Sequence, residues 1–183
     1  MNKLAPLLFL MVCSAGCAHS FPPNNAPFAS LRSVRELDGT YANQGESRDK
    51  APSLWASLAP TRSQDVNVEA VEIRSSDSGD LRLRAFRKGV ATDEAVLAAG
   101  RDFTFEGGRV VPRVGESPRG GGGAPPLAAG AVRESLVVGL DTNGDLKVFH
   151  SARFIGSVNL LPMALWKEDE VRYRRLPGTR AQP

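Results

Sequence analysis

The apolar positions of this chain fall into two unlike regimes. Leu4–Val12 is a nearly unbroken apolar run behind one cation, Lys3. From Val66 onward, apolar and polar residues alternate with a period close to two, which marks strands with one dry and one wet face. Val66, Val68 and Ala70 alternate with Asn67 and Glu69, and the phase then slips to Val71 and Ile73. The slip predicts a bulge or bend near Ala70. After a turn over Ser75–Gly79, Leu81, Leu83 and Ala85 alternate with Arg82, Arg84 and Phe86. Glu94–Ala99 fits either a strand or a helical turn. Gly107-Gly108, between Asp102–Glu106 and Arg109–Val114, suits a two-residue hairpin. Asn143-Gly144, between Val132–Leu140 and Asp145–Ile155, is the clearest hairpin signal. Leu160-Leu161-Pro162 breaks the pattern, and Glu168-Asp169-Glu170, set between Lys167 and Arg172, reads as a charged turn. Glu170–Leu176 reads as the last strand, with Val171 and Tyr173 on one face.

One short helix interrupts this pattern: Leu54, Trp55 and Leu58 within Ala51–Leu58 have helical spacing and suit a plug over a barrel end. Roughly eight to nine strands in sequence order and no long helix define an all-β fold. The expected form is a single antiparallel meander closing into a small barrel or a sandwich. Gly39-Thr40-Tyr41 resembles the Gly-x-Trp of the first strand of lipocalin-like barrels, with Tyr41 in place of Trp, and that resemblance favours the barrel. The expected division is a leader over 1–17, a flexible tether over 18–35 carrying Pro22-Pro23 and Pro27, a β-rich domain over 36–176 and a disordered tail over 177–183. Within the domain, the Gly- and Pro-rich stretch 115–131 is expected to be a mobile loop.

The leader has a cationic head, a short apolar core and a small-residue exit, the parts of a secretory signal. Its core is too short for a membrane-spanning helix, which needs about 20 apolar residues. Ser14-Ala15-Gly16-Cys17 resembles the lipobox of bacterial lipoproteins, with Ser14 where Leu is usual. The resemblance implies that Ser14, Ala15 and Gly16 are read by a dedicated signal peptidase. It also implies that Cys17 receives a diacylglyceryl group and becomes the first residue of the mature chain. Ala18, rather than Asp, follows the cysteine, which by the same resemblance implies the outer membrane and a domain facing the periplasm.

Charge and cysteine content narrow the chemistry. The formal net charge is +3, and Lys3 is the only charged residue that leaves with the leader. Arginines are spread along the chain, so nucleic acid is not an expected partner. The 2 cysteines are Cys13 and Cys17, which leaves the mature domain without a thiol for a disulfide, a metal or a nucleophile. Asp141, Asn143 and Asp145 mimic the start of a calcium loop, but the position that should hold a bidentate Glu is Ala152. The Gly120–Gly123 run lacks the Lys and Ser or Thr of a phosphate-binding loop. His150 is the one imidazole of the expected domain, and Ser151 beside it falls on the opposite strand face. Neither catalytic residues, nor a metal site, nor a cofactor is expected. Tyr41, Trp55 and Trp166 are candidates to line a ligand cavity, or else to fill the core.

The expected function is that of a lipid-anchored, non-catalytic binding module of the cell envelope, taking a hydrophobic ligand or an envelope partner. The alternative is a structural or assembly accessory of an outer-membrane complex, with a filled core and no ligand.

Overall fold

The structure, a computed structural model, describes residues 17–48, 51–62, 67–113, 128–158 and 161–177. In chain order they form β1 (Cys17–Ser20), a 3-10 turn (Val34–Leu37), β2 (Gly39–Ala42), α1 (Leu54–Leu58) and β3 (Ala70–Ser75). These are followed by β4 (Leu81–Arg87), β5 (Val90–Leu97), β6 (Phe103–Glu106) and β7 (Arg109–Pro112). Three long strands complete the fold: β8 (Ala128–Leu140), β9 (Leu146–Val158) and β10 (Leu161–Tyr173). The fold is all-β, with one short α-helix.

Two sheets share one core. One runs β1-β10-β9-β8-β7-β6 and the other β2-β3-β4-β5. All pairings are antiparallel except β1 with β10, which is parallel. A seam joins the sheets where residues 40–46 run beside the end of β10. There the Ala42 amide donates to the Arg174 carbonyl (2.9 Å) and the Leu176 amide to that of Thr40 (2.8 Å). Glu46 and Arg172 form a further bridge, and Arg172 and Arg174 both donate to the Glu46 carboxylate. These guanidinium bonds hold that carboxyl below its ordinary value, the Arg172 bond chiefly. At the other side β5 passes into β6 through a turn, and no ladder between them is present among the described residues. The molecule is therefore a meandering sandwich with one closed and one open side.

Alternation along the strands decides what is buried. Leu81, Leu83 and Ala85 of β4 face inward, and Arg82 and Arg84 between them face out toward Glu94 and Glu72. Inward residues of both sheets meet Leu54, Trp55 and Leu58 of α1 in a single cluster. Gly107 and Gly108 both have positive φ, as a two-residue hairpin needs. In the β8–β9 turn only Gly144 has positive φ, while Asp141 Oδ1 accepts from the amides of Asn143 and Asp145. The Asp141 carboxylate thus orders its own turn.

Several expectations are corrected. The register shift lies between Ala85 and Phe86 on the β4–β5 ladder, and β3 simply begins at Ala70. The change of phase before Ala70 is the chain entering the sheet, with Val68 buried outside any strand. Glu168, Asp169 and Glu170 are not a turn; they sit inside β10, which also runs through Pro162. The ladders to β9 and β1 hold this acidic run in a strand, and each carboxylate there has a nitrogen-bearing side chain beside it. His19 lies 3.2 Å from Glu168, Lys167 2.7 Å from Asp169 and Lys147 2.8 Å from Glu170. Residues 115–127 of the expected mobile loop lie outside the described residues, and Ala128–Ala131 belong to β8. Cys13, Ser14, Ala15 and Gly16, and residues 178–183 of the tail, also lie outside them.

The stretch expected as a free tether lies along the six-stranded sheet. The buried Lys147 ammonium donates to Asn25 Oδ1 (2.7 Å) and to the Ala26 carbonyl (2.9 Å). Phe28 covers Gly139, where an added Cβ would meet its ring at 3.0 Å, and it receives the cations of Arg109 and Lys147. The Ala29 amide then donates to the Leu140 carbonyl (2.8 Å) and the Leu31 amide to that of Gly108 (3.3 Å). Pro22, Pro23 and Pro27 fix φ along this strap, which turns at Asn24, where φ is positive, before it runs beside the sheet.

Candidate functional site

The inner face of β8–β10 is built in register rows. Val138, Val148 and Val171 form one row, and Leu136, His150 and Asp169 the next. The first is core. Over the second lies α1, which leaves a cavity of about 290 Å³ between helix and sheet. Leu136, Val148 and Val171 make its floor, while Pro52, Ala56 and Pro60 make its roof. Glu134, His150 and Asp169 supply a polar rim. An adjoining hollow of about 360 Å³ shares Pro52, His150, Asp169 and Val171, and is bordered by Ser47, Ala51 and Lys167.

Alpha-helical structure this short has no independent stability, so other groups must position the roof. The Ser53 hydroxyl accepts from the Ala56 amide (3.1 Å) as N-cap. Asn43, buried between the sheets, receives the Trp55 amide on its side-chain oxygen (2.8 Å) and the Leu54 amide on its carbonyl (2.9 Å). Its side-chain amide nitrogen donates to the Val68 carbonyl (2.9 Å), which ties the helix to the segment leading into β3 through one side chain. Tyr173 anchors the other flank by donating to the Pro52 carbonyl (3.0 Å).

The three aromatic candidates are not the cavity wall. Trp55 is 1% exposed and Tyr41 0%, and both are core. Tyr41 donates its hydroxyl to the Leu37 carbonyl (2.8 Å) and carries the Arg175 guanidinium near its ring. Trp166 is half-buried on β10, where its backbone pairs with that of Cys17. The residues that do form the wall carried a legible but undervalued signal: Val148 and Val171 are in phase with the core residues Leu146 and Tyr173. His150 is a single imidazole in the sequence pattern, and Asn43 carries no sequence signal at all. Ser151 lies on the face opposite His150 and shares a hydrogen bond with Ser135 (3.1 Å). Among the described residues, no group of three or more His, Cys, Asp or Glu is placed to hold a metal ion.

Burial pushes the phenols of Tyr41 and Tyr173 up to about 12, from an ordinary 10.0. The fold favours the neutral form, so this contribution is intact below pH 10 and is lost as pH rises toward about 12. These are the chain's 2 tyrosines. An ultraviolet absorbance titration should therefore show no phenolate while the fold persists, and both phenolates together with alkaline unfolding. Ionisation of either at its ordinary pH in folded protein would contradict the packing described.

No protein-family model matches this chain, and no match is found among curated proteins or among solved structures.

Proposed function

We propose that this protein is a lipoprotein of the bacterial cell envelope, held to the outer membrane through an acylated Cys17 and facing the periplasm, whose domain binds a small hydrophobic molecule. The observation that carries the binding reading is the cavity of about 290 Å³ beside α1, apolar over most of its floor and roof, with Ser57 on the helix side and Glu134, His150 and Asp169 as its polar groups. Sites for small molecules commonly have this make-up, with few polar groups that orient an apolar body. Glu134, His150 and Asp169 favour a ligand whose head donates hydrogen bonds. Catalysis is not part of this reading, because its one imidazole has no nucleophile beside it on the same strand face.

The neutral apolar fluorophore N-phenyl-1-naphthylamine tests it. The probe should brighten on the purified full chain. Ala56→Phe, which fills the cavity from its roof, should weaken that binding by about tenfold or more, since each 1.4 kcal/mol is a factor of ten. Absence of binding, or equal binding by the variant, would favour the assembly-accessory alternative instead.

A further inference from the structure

Among the residues whose side chains are described, the core reaches Leu136, Val148 and Val171, and the three long strands continue to Ala128, Val158 and Leu161. Across this free end runs a register row in which Cys17 pairs with Trp166, Trp166 with Arg153, and Arg153 with Arg133. The neighbouring row contains Lys167, which is 61% exposed. One residue beyond Trp166, charge stops. Val132, Phe154 and Leu165 form the next row on one face, and Ala131, Ile155 and Ala164 the one after it on the other. Ile155 is 67% exposed and Leu165 43%. Further out, the paired residues 128–130, 156–158 and 161–163 contain no charged residue.

We propose that this end of the β8–β10 ribbon docks on an anionic lipid leaflet, the one that holds the acyl chains of Cys17; the proposal rests on the acylation proposed above. Position supplies the first argument. An acylated Cys17 fixes the leaflet at the level of Trp166, and the apolar rows begin one residue further, a step of about 3.3 Å. Polarity supplies the second. Indole at the boundary, with Arg133 and Arg153 in its row and the exposed Lys167, paired with Asp169, one row further in beside Glu134, matches an interface of headgroup phosphates over hydrocarbon. Both faces of the ribbon are apolar here, whereas a protein partner would cover one face. Strand edges carry backbone groups that hydrocarbon cannot satisfy, so the ribbon enters the headgroup and upper acyl zone only.

The test uses the full chain purified from membranes and reconstituted in vesicles of phosphatidylethanolamine and phosphatidylglycerol. An environment-sensitive NBD label is placed by Ile155→Cys at the free end, or by Thr142→Cys in the turn at the opposite end of the same ribbon. The label at 155 should brighten several-fold, shift to the blue and be quenched by lipids brominated on their acyl chains, while the label at 142 stays aqueous. An aqueous signal at 155 on protein whose intact mass confirms acylation overturns the docking and leaves the anchor standing. Brightening at 155 that needs no vesicles and grows with protein concentration means that a second copy covers the end, and overturns it too. Without any acylation, residual vesicle binding that Ile155→Ser lowers by about tenfold would still support the docking, because burying one such side chain is worth that much.

Discussion

Cys17→Ala is expected to move the protein from the membrane pellet to the soluble fraction, or to leave it unprocessed. The expectation follows from chain count. Each buried CH₂ of an acyl chain contributes about 0.8 kcal/mol, and one myristoyl chain alone binds membranes only marginally, whereas two or more bind firmly. Removing the thiol removes every chain at once, so partition should fall by orders of magnitude rather than by a factor. Fractionation with immunodetection reads the result. The fold itself should be unaffected, because the described domain forms no disulfide and its core begins beyond Cys17. A Cys17→Ala protein that remains wholly in the membrane pellet after normal processing would remove the anchor from the account.

Trp55→Ala should cost about 3–5 kcal/mol of stability, the range for deleting a buried aromatic side chain. Domains of this kind have about 5–15 kcal/mol in total, so much of the margin goes. Trp55 is 1% exposed and is the largest fully buried side chain among those described. It sits where α1 meets both sheets, and its amide is one of the two that Asn43 holds. The loss therefore spreads from a packing defect to the roof of the cavity, and probe binding should fall with it. Urea unfolding should show a lower midpoint at nearly unchanged slope. A midpoint within error of the parent would mean that Trp55 does not hold the helix, and that the cavity roof is fixed by other contacts.

Pattern along the chain carries what depends on near neighbours. Alternation over Leu81–Phe86 and the turns at Gly107-Gly108 and Asn143-Gly144 gave correct strands because each depends on neighbours along the chain. Leu54, Trp55 and Leu58 likewise marked the helix. What escaped depends on distant partners. Glu168-Asp169-Glu170 lies in a strand paired with β9, where His19, Lys167 and Lys147 meet the three carboxylates, two of them from other strands. The strap over 18–31 has no periodicity of its own, and is fixed by Lys147, Gly139 and Leu140 of the long hairpin. The cavity was equally hidden. Its wall is made where α1 stands off from Leu136 and Val148, and a gap between elements leaves no mark on either sequence. Aromatic residues line many sites, but here the buried rings of Trp55 and Tyr41 fill the core instead.

Whether a lipid-bearing sulfur begins the mature chain is read by intact-mass spectrometry of protein extracted from membranes. The expected polypeptide starts at Cys17 and carries the added mass of a diacylglyceryl group, with or without a further acyl chain on its amine. A chain that begins at any other residue, or an unmodified Cys17 on protein recovered from the soluble fraction, would contradict it.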